Sequence, residues 1–478
     1  MENSIIQQLI NCVGTTNVLI DGDLTTYELD WRQRARGKAM AIVRPKNTQE
    51  VAQIVKLCID FNRANPKQKI SIVPQGGNTG LVVGSTPDNS GTQIVISLQR
   101  MNHVRHIDAP NASITVEAGC VLQSLQTRAE ESGFLFPLSL GAEGSCTIGG
   151  NLGTNAGGTQ VLRYGNTREL CLGLEVVTPD GEIWEGLTGL RKDNTGYDLR
   201  NLFIGSEGTL GIITAATMKL FPLPQSTICA WVSVDNLNQA LRLLQLSQKH
   251  LGAGLTGFEM MGEFALSLVR KHFSQLHMPL EKDSPYAVLV EYSGQETEGQ
   301  AHSQLENLLE KAIEEGCALD AVVTENISQT KSLWHIRENI TFAQAQEGLN
   351  IKHDISIPIS SIPAFVERTD AELLANFPKV RIVNFGHLGD GNLHYNVQAP
   401  NDEDREIFLI EKEALVNSVV YESVAFFGGS ISAEHGVGSL KVNTLPKYKS
   451  AVALNMMRSI KRALDSENLM NPGRVINI

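Results

Sequence analysis

The segment FGHLGDGNLHYN sets His387 and His394 on either side of a Gly-Asp-Gly turn, and a later SAEHG supplies Glu434 and His435. Two imidazoles and a carboxylate make a three-ligand set with an open position, the usual way of holding a catalytic divalent cation. VRIVNFG and LHYNV read as strands joined by the turn at Gly389, Asp390 and Gly391. Side chains alternate faces along a strand, so His394 and Asn396 share a face, Tyr395 points the other way, and His387 can meet His394 across the hairpin. Glu434 has to arrive from a distant segment. The spacing matches no standard zinc signature, and a lone histidine is more often an ordinary core or surface residue. Two histidines flanking one tight turn, with a separate Glu-His dipeptide, shift the reading toward a metal.

A second group of residues has no metal-ligand logic. VPQGGNTGLVVGS follows the strand around Ile70 to Val73, and LGAEGSCTIGGNLGTNAGG and GSEGTLGIIT come later. Gly76, Gly77 and Gly80 let backbone N–H groups approach an anion without side-chain interference, and Asn78 and Thr79 add short polar side chains. Three such segments suit an extended ligand, such as a dinucleotide, better than a single phosphate. No GxxxxGK[ST] is present, which argues against a P-loop triphosphatase, and the first segment does not fit GxGxxG opening a helix, the usual NAD fingerprint. A metal together with a phosphate-bearing cofactor suggests redox chemistry on a small oxygenated substrate.

The elements that must carry these groups fall into two textures. Up to about residue 220, short strands (ISIVP, IVISL, ITVEAG, LGLEVVTPDGEIW) alternate with turns and with the helices TQEVAQIVKLCIDF and VLQSLQTRAEESG. FPLPQ at Phe221 to Gln225 marks a boundary, because its two prolines continue neither ladder nor helix. Longer amphipathic helices follow (NLNQALRLLQLSQKH, AHSQLENLLEKAIEEG, TKSLWHIRENITFAQAQEG), alternating with PYAVLVEYS, IKHDISIPI and VRIVNFG, an α+β pattern around an antiparallel sheet. The expected division is an N-terminal segment 1–40, a cofactor domain 41–222, a substrate domain 223–430 and a C-terminal helical segment 431–478 that packs on the cofactor domain.

The 478 residues exceed one ordinary core, and the net charge of -12 lacks the basic footprint of a general nucleic-acid binder. Seven scattered cysteines with no CxxC fit free thiols in a reducing compartment. MENSIIQQLINC has no basic region followed by an apolar core, and no apolar run approaches the ~20 residues of a membrane span. The expectation is a cytoplasmic chain with no membrane span.

PQGGNTG, GSCTIGGNLGTNAGG, LRKDNTGYDLRNLFIGSEGTLGIIT, GHLGDGNLH, SAEHGVG and MNPG together resemble the flavin-dependent D-2-hydroxyacid dehydrogenases, flavoproteins of the vanillyl-alcohol oxidase type. The resemblance runs from about Asp30 to Gly473 and is nearest to the D-2-hydroxyglutarate dehydrogenases within that family. It implies an α+β fold: an FAD-binding domain, a substrate domain with an antiparallel sheet, and a C-terminal segment returning to the flavin. By matching motif, Pro74, Gln75, Gly76, Gly77, Asn78, Thr79, Gly80 and Leu81 would wrap the FAD pyrophosphate. Gly144, Ser145, Gly149, Asn151, Thr154, Asn155, Gly157 and Gly158 would line the dinucleotide. Glu207, Gly208 and Ile212 would sit near its adenine or ribose half and Asn471 near the isoalloxazine. Some relatives tether the flavin through a His in the first loop or a Cys in the second. The first loop here has no His, and Cys146 reads as a small packing residue, so the FAD is expected to be non-covalent.

The resemblance also implies that His387, His394 and Glu434 bind a divalent metal. Nitrogen-rich ligation favours zinc, with manganese or cobalt as substitutes. A chelated α-hydroxy acid would lose its hydroxyl proton to His435, pass hydride from C2 to flavin N5 and leave as a 2-oxo acid. Asn396 could bind the substrate carboxylate. Arg337 and Thr341, four apart on one helix face, and Lys352 match the residues with which D-2-hydroxyglutarate dehydrogenases grip the distal carboxylate. Flavin D-lactate dehydrogenases usually lack the matching Thr and Lys, which favours a dicarboxylate, with D-malate as a secondary substrate. The alternatives are a D-lactate or glycolate dehydrogenase of the same family, or a non-catalytic flavin-binding subunit with a structural metal. An electron-transfer flavoprotein or a quinone is the candidate electron acceptor, and a homodimer the candidate assembly.

Overall fold

The computed structural model describes residues 2–478. The chain splits into two compact units: unit 1 is Met1–Gly157, Gly165–Leu223 and Glu434–Ile478, and unit 2 is Gly158–Tyr164 and Pro224–Ala433. Residues through 40 belong to unit 1. Among the described residues no helix is long and apolar enough to cross a membrane.

Unit 1 contains two main sheets. The first has β1 (Val18–Leu19), β2 (Ala39–Val43), β3 (Ser71–Gln75) and β4 (Gln93–Ser97) in the order β1-β2-β4-β3. β2, β4 and β3 run parallel, so the chain needs a crossover between β2 and β3. The helix Thr48–Ala64 supplies it, started by Asn47, whose side chain accepts the Glu50 N–H at 2.8 Å, and buried through Val51, Ile54, Val55 and Cys58. The second sheet is antiparallel: β5 (Val104–Asp108), β6 (Ser113–Glu117), β8 (Cys171–Val177), β9 (Ile183–Gly186) and β10 (Ile212–Lys219), ordered β5-β6-β10-β8-β9. A short ribbon pairs β7 (Phe134–Leu135) with β11 (Phe221–Pro222).

The C-terminal segment closes this unit. Leu469 accepts the Ile72 N–H at 2.9 Å and Asn471 donates to the Ile72 carbonyl at 2.8 Å, adding a parallel bridge beside β3. The helix Ala451–Leu464 carries Lys461, whose buried ammonium donates to Asp465 at 2.5 Å and to the carbonyls of Thr209 and Met470, both at 2.7 Å. A buried ammonium is tolerated because every donor is matched.

Unit 2 is built on one antiparallel sheet: β12 (Ser226–Val234), β13 (Leu255–Gly262), β14 (Tyr286–Gly294), β15 (Asp320–Val323), β16 (Asn350–Ile351), β17 (Asp354–Ser356), β18 (Arg381–His387) and β19 (Asn392–Gln398). The order is β15-β12-β14-β13-β18-β19-β16, with β17 also on β19. The helices Glu263–His272 and Ile327–Glu347 cover one face, where Leu333, Ile336, Ile340 and Ala343 pack on Met261, Val383 and Phe385. By the two-residue period of a strand, Glu259 shares the face of Met261, and His387 that of Phe385.

Glu347 locks that helix to the sheet. Its carboxylate, with a side chain only 2% exposed, accepts from Arg381 (2.6 Å), Lys271 (2.7 Å) and His272 (2.7 Å). Burial alone would raise this carboxyl; the donors of Arg381, Lys271 and His272 outweigh it and bring the pKa from near 4.5 down to about 2. A carboxyl with a depressed folded pKa stabilises fully above its unfolded value, and that stabilisation is lost as pH falls toward 2. Glu347→Gln should cost about 2 kcal/mol at pH 7, below the usual cost of breaking a buried pair because Lys271 is exposed to solvent. Thermal or urea unfolding followed by tryptophan fluorescence should show the gap to wild type narrowing from pH 5 to pH 3. A gap independent of pH would rule out the ionic origin.

Candidate active site

In unit 1 a cleft opens where β3 ends. Among its lining residues are Pro74, Gln75, Gly76, Gly77, Asn78, Thr79 and Gly80 from the first glycine loop, and Gly149, Asn151 and Thr154 from the short helix Ile148–Thr154. Glu207, Gly208, Ile212 and His435 complete the set of sequence-singled residues on its wall. Leu81, Gly144, Ser145, Asn155, Gly157 and Asn471 belong to unit 1 without lining the cleft, and Gly158 belongs to unit 2.

Close packing explains the glycines. A Cβ at Gly76 would lie 2.2 Å from Thr147 Oγ1, and one at Gly77 would lie 2.1 Å from the Ser145 carbonyl oxygen, so the first two glycine segments touch backbone to backbone. Gly157 lies under the Glu434 carboxylate, whose Oε1 would be 2.5 Å from an added Cβ. The polar side chains divide between bracing and waiting. Asn78, at φ 53°, uses its side chain on the protein: Nδ2 donates to Thr26 and Leu29 carbonyls, and Oδ1 accepts from Ser85 at 3.0 Å. Gln75 donates to the Tyr27 and Ser85 carbonyls. Gln75 Oε1, Thr147 Oγ1 and Asn151 Nδ2 are buried with no protein partner. Orphaned donors and acceptors on a cleft wall are costly unless a ligand answers them, and those orphans, beside a glycine cradle, fit a polar dinucleotide. Burial pushes the Cys146 thiol, also on the wall, up to about 11, so it stays protonated at neutral pH.

Glu207 has a task that its place in GSEGTLG did not reveal. At φ 52° it turns its carboxylate onto the SAEHGVG loop, accepting from the Val437 N–H at 2.7 Å and the Gly438 N–H at 2.8 Å. The loop that carries His435 is therefore held by two hydrogen bonds, which partly offset the burial that raises the Glu207 carboxyl above its usual range. Asn471 Nδ2 ties the same residue by its carbonyl at 2.7 Å, and reaches Gly84 at 2.9 Å.

In unit 2 the hairpin of β18 and β19 pairs His387 with Asn392 and Phe385 with His394. The histidines are thus diagonal neighbours on one face, with ring centroids 5.4 Å apart at 76°. Gly389, in the turn, packs so tightly that a Cβ would meet Leu162 at 2.9 Å and Phe258 at 3.1 Å. His387 Nδ1 is 2.7 Å from Glu259 Oε1, while Glu259 Oε2 accepts from Arg337 Nε and Nη2, each at 2.8 Å. The Arg337 guanidinium also lies 4.8 Å over the Phe385 ring. Burial alone would raise the Glu259 carboxyl; its close contacts with His387 and Arg337 outweigh that and lower it from its ordinary value.

Arg337, on the Ile327–Glu347 helix, is thereby brought to the histidine pair. Thr341 lies one turn further along that helix and is exposed, and Lys352 is half-buried between β16 and β17. Asn396 is tied to the protein at both ends of its amide: Nδ2 donates to Gln344 at 2.9 Å and Oδ1 accepts the His353 N–H at 3.0 Å. Sequence reasoning missed Glu259 and Gln344. A lone glutamate inside the apolar strand LTGFEMMG was the available signal, since a buried charge needs a partner.

Two family models match the chain: "FAD binding domain" over residues 39–186 and "FAD linked oxidases, C-terminal domain" over residues 223–475. The D-2-hydroxyglutarate dehydrogenase of Arabidopsis thaliana mitochondria is 38% identical over 97% of this chain and 80% of its own length. That of Bos taurus is 40% identical over 95% and 80%. A putative mitochondrial D-lactate dehydrogenase of Schizosaccharomyces pombe is 37% identical over 98% and 90%. Among solved structures, p-cresol methylhydroxylase with substrate bound superposes with a TM-score of 0.75 at 17% identity, covering 99% of this chain and 97% of that one. Alkyldihydroxyacetonephosphate synthase gives 0.73 at 17%, covering 98% and 84%; both share the fold. With an FAD-binding domain carrying the orphan-lined cleft and relatives of 38–40% identity along nearly its whole length, the chain belongs to the FAD-dependent D-2-hydroxyacid dehydrogenases, within the FAD-linked oxidases.

Proposed function

We propose that the protein oxidises D-2-hydroxyglutarate to 2-oxoglutarate, with non-covalent FAD and a divalent cation, zinc being the first candidate, and accepts D-malate as a second substrate. The names and coverage of the relatives support the substrate, and the observation that carries the reading within the chain is the Glu259-linked pair of Arg337 and His387. It sets a carboxylate-binding cation beside a metal-ligating imidazole on one rigid sheet face.

Bound FAD supplies a two-electron acceptor, and a cation held by His387, His394 and Glu434 supplies Lewis acidity. Chain connectivity supports Glu434 as the third ligand. Asp354 pairs with His394 in the sheet, and Ala433 donates its N–H to the Asp354 carbonyl at 3.3 Å. Glu434 follows by one peptide, and consecutive Cα atoms are about 3.8 Å apart. Mixed imidazole and carboxylate donors suit zinc, manganese or cobalt. His435, on the wall of the flavin cleft and held through Glu207, accepts the C2 hydroxyl proton. Arg337 and Lys352 neutralise a dianion in an otherwise acidic protein, and Thr341 adds a hydroxyl donor. Asn396 acts through the Gln344 and His353 bonds that hold it, offering its second amide hydrogen to a carboxylate. An electron-transfer flavoprotein or a quinone takes the electrons, in a homodimeric cytoplasmic enzyme.

The purified yellow protein should bleach anaerobically with D-2-hydroxyglutarate and not with its L-enantiomer. Chelation should abolish bleaching and zinc or manganese should restore it; full turnover in a verified metal-free sample would defeat the metal assignment.

The putative D-lactate dehydrogenase among the relatives favours a second reading, oxidation of D-lactate. Lys352→Ala separates the two. The dicarboxylate reading expects KM for D-2-hydroxyglutarate to rise at least tenfold with little change for D-lactate, since one charged hydrogen bond contributes about 1.5–3 kcal/mol. Unchanged steady-state constants for both acids would favour the monocarboxylate.

A further inference from the structure

Glu259 stands on β13 with a side chain 1% exposed, and its two oxygens serve two different functional residues. Resting on the roles proposed for His387 and Arg337, we propose that Glu259 is the positioning residue that selects the nitrogen His387 offers to the cation and fixes the Arg337 fork on the same face.

The geometry leaves little choice. The sheet pairs Met260 with Gly386 and Met261 with Phe385, so the same register carries Glu259 to His387. A carboxylate held by a guanidinium is an acceptor only, so the His387 nitrogen 2.7 Å from Oε1 must carry the hydrogen. A neutral imidazole protonated at Nδ1 presents its lone pair at Nε2, the nitrogen that ligates in carboxylate–histidine–metal arrangements. The other oxygen binds Arg337 side-on through Nε and Nη2, and Phe385 lies against the guanidinium face. Rotation of the fork is blocked on both counts, and its Nη1 edge is turned away from Glu259. A buried carboxylate is costly beside a well-packed apolar residue, so packing alone does not account for a glutamate here. Orientation of two groups at once does.

Glutamine cannot replace it, because an amide has one acceptor and one donor end. In Glu259→Gln the oxygen should stay on Arg337 and the NH2 should face His387 Nδ1, which inverts the tautomer and places a hydrogen on Nε2. The test compares FAD-loaded wild type, Glu259→Gln and Glu259→Asp. Nitrogen-15 NMR of labelled histidine, with His387→Gln to assign the resonance, should show the Nδ1–H form in metal-free wild type and the Nε2–H form in Glu259→Gln. Zinc titrated against a chromophoric chelator should bind Glu259→Gln 10- to 100-fold more weakly. At saturating zinc, kcat should recover while KM for the dicarboxylate stays raised, because Arg337 is then held by a neutral amide oxygen in place of a carboxylate. If Glu259→Gln does not fold, Glu259→Asp, which keeps the charge, decides: it should retain the wild-type tautomer. A folded Glu259→Gln with wild-type tautomer and zinc affinity overturns the proposal, as does an inverted tautomer in Glu259→Asp. A wild type that oxidises no 2-hydroxy acid would fail the proposed activity while the tautomer measurement still ruled on Glu259.

Discussion

A buried carboxyl group is tolerated only when donors meet it, and the functional parts of this chain are hung on carboxyl groups of that kind. Glu259 joins the imidazole to the guanidinium, Glu347 clamps the helix that carries the guanidinium, Glu207 holds the loop of His435, and Asp465 with Lys461 fixes the return of Met470 and Asn471. The polar groups answering them are mostly backbone amides and arginine forks, whose directions are fixed before any ligand arrives. Chemistry that depends on fractions of an ångström therefore rests on short hydrogen bonds to buried carboxyl groups rather than on loop packing.

The two units use this device in different settings. In unit 1 the anions fasten loops, because a cofactor cleft lined by glycine has few side chains to hold its shape; Gly76 and Gly77 bring segments so close that only backbone fits. In unit 2 the anion sits within the sheet. β13, β18 and β19 are adjacent, and a shift of one residue in β18 would send His387 to the opposite face. The register is held by Met261, Phe385 and Val383 under the helix Ile327–Glu347, so hydrophobic packing sets where the imidazoles point, and Glu259 meets His387 at Nδ1.

What could be read in the sequence follows from range. The hairpin of His387 and His394 is local, and its turn and alternation fix which side chains share a face, although the diagonal placement of the two histidines, opposite Asn392 and Phe385, needed the register. The glycine segments were legible as a polyanion cradle because glycine has few other uses in such density. Glu259 was not, being 128 residues from His387 with no local pattern linking them. Glu207 was legible as part of a cofactor motif, yet its side chain turned to Val437 and Gly438, 230 residues or more away. Asn78 and Asn396 carry the right chemistry for ligand contact, and the fold also ties their amides to Thr26, Leu29, His353 and Gln344, partners no local pattern announces. Long-range partners of buried polar groups are set by strand order and crossover, which periodicity does not encode.

The segment Gly158–Tyr164 shows how far that coupling extends. The chain leaves the cleft helix Ile148–Thr154, passes Gly157 beneath Glu434, and then gives seven residues to unit 2. There Leu162 packs on the Gly389 turn between the histidines, and Arg163 donates to the Ser293 carbonyl at 2.7 Å. Within unit 2, Leu162 fills the space a larger residue at 389 would need. A substitution at Leu162 would loosen the turn without touching either histidine, and a longer loop after Gly157 would free the clip without altering the cleft wall. The glycines at 157 and 389 are each small for their own local reason: Glu434 in one unit and Leu162 in the other already occupy the volume a Cβ would take.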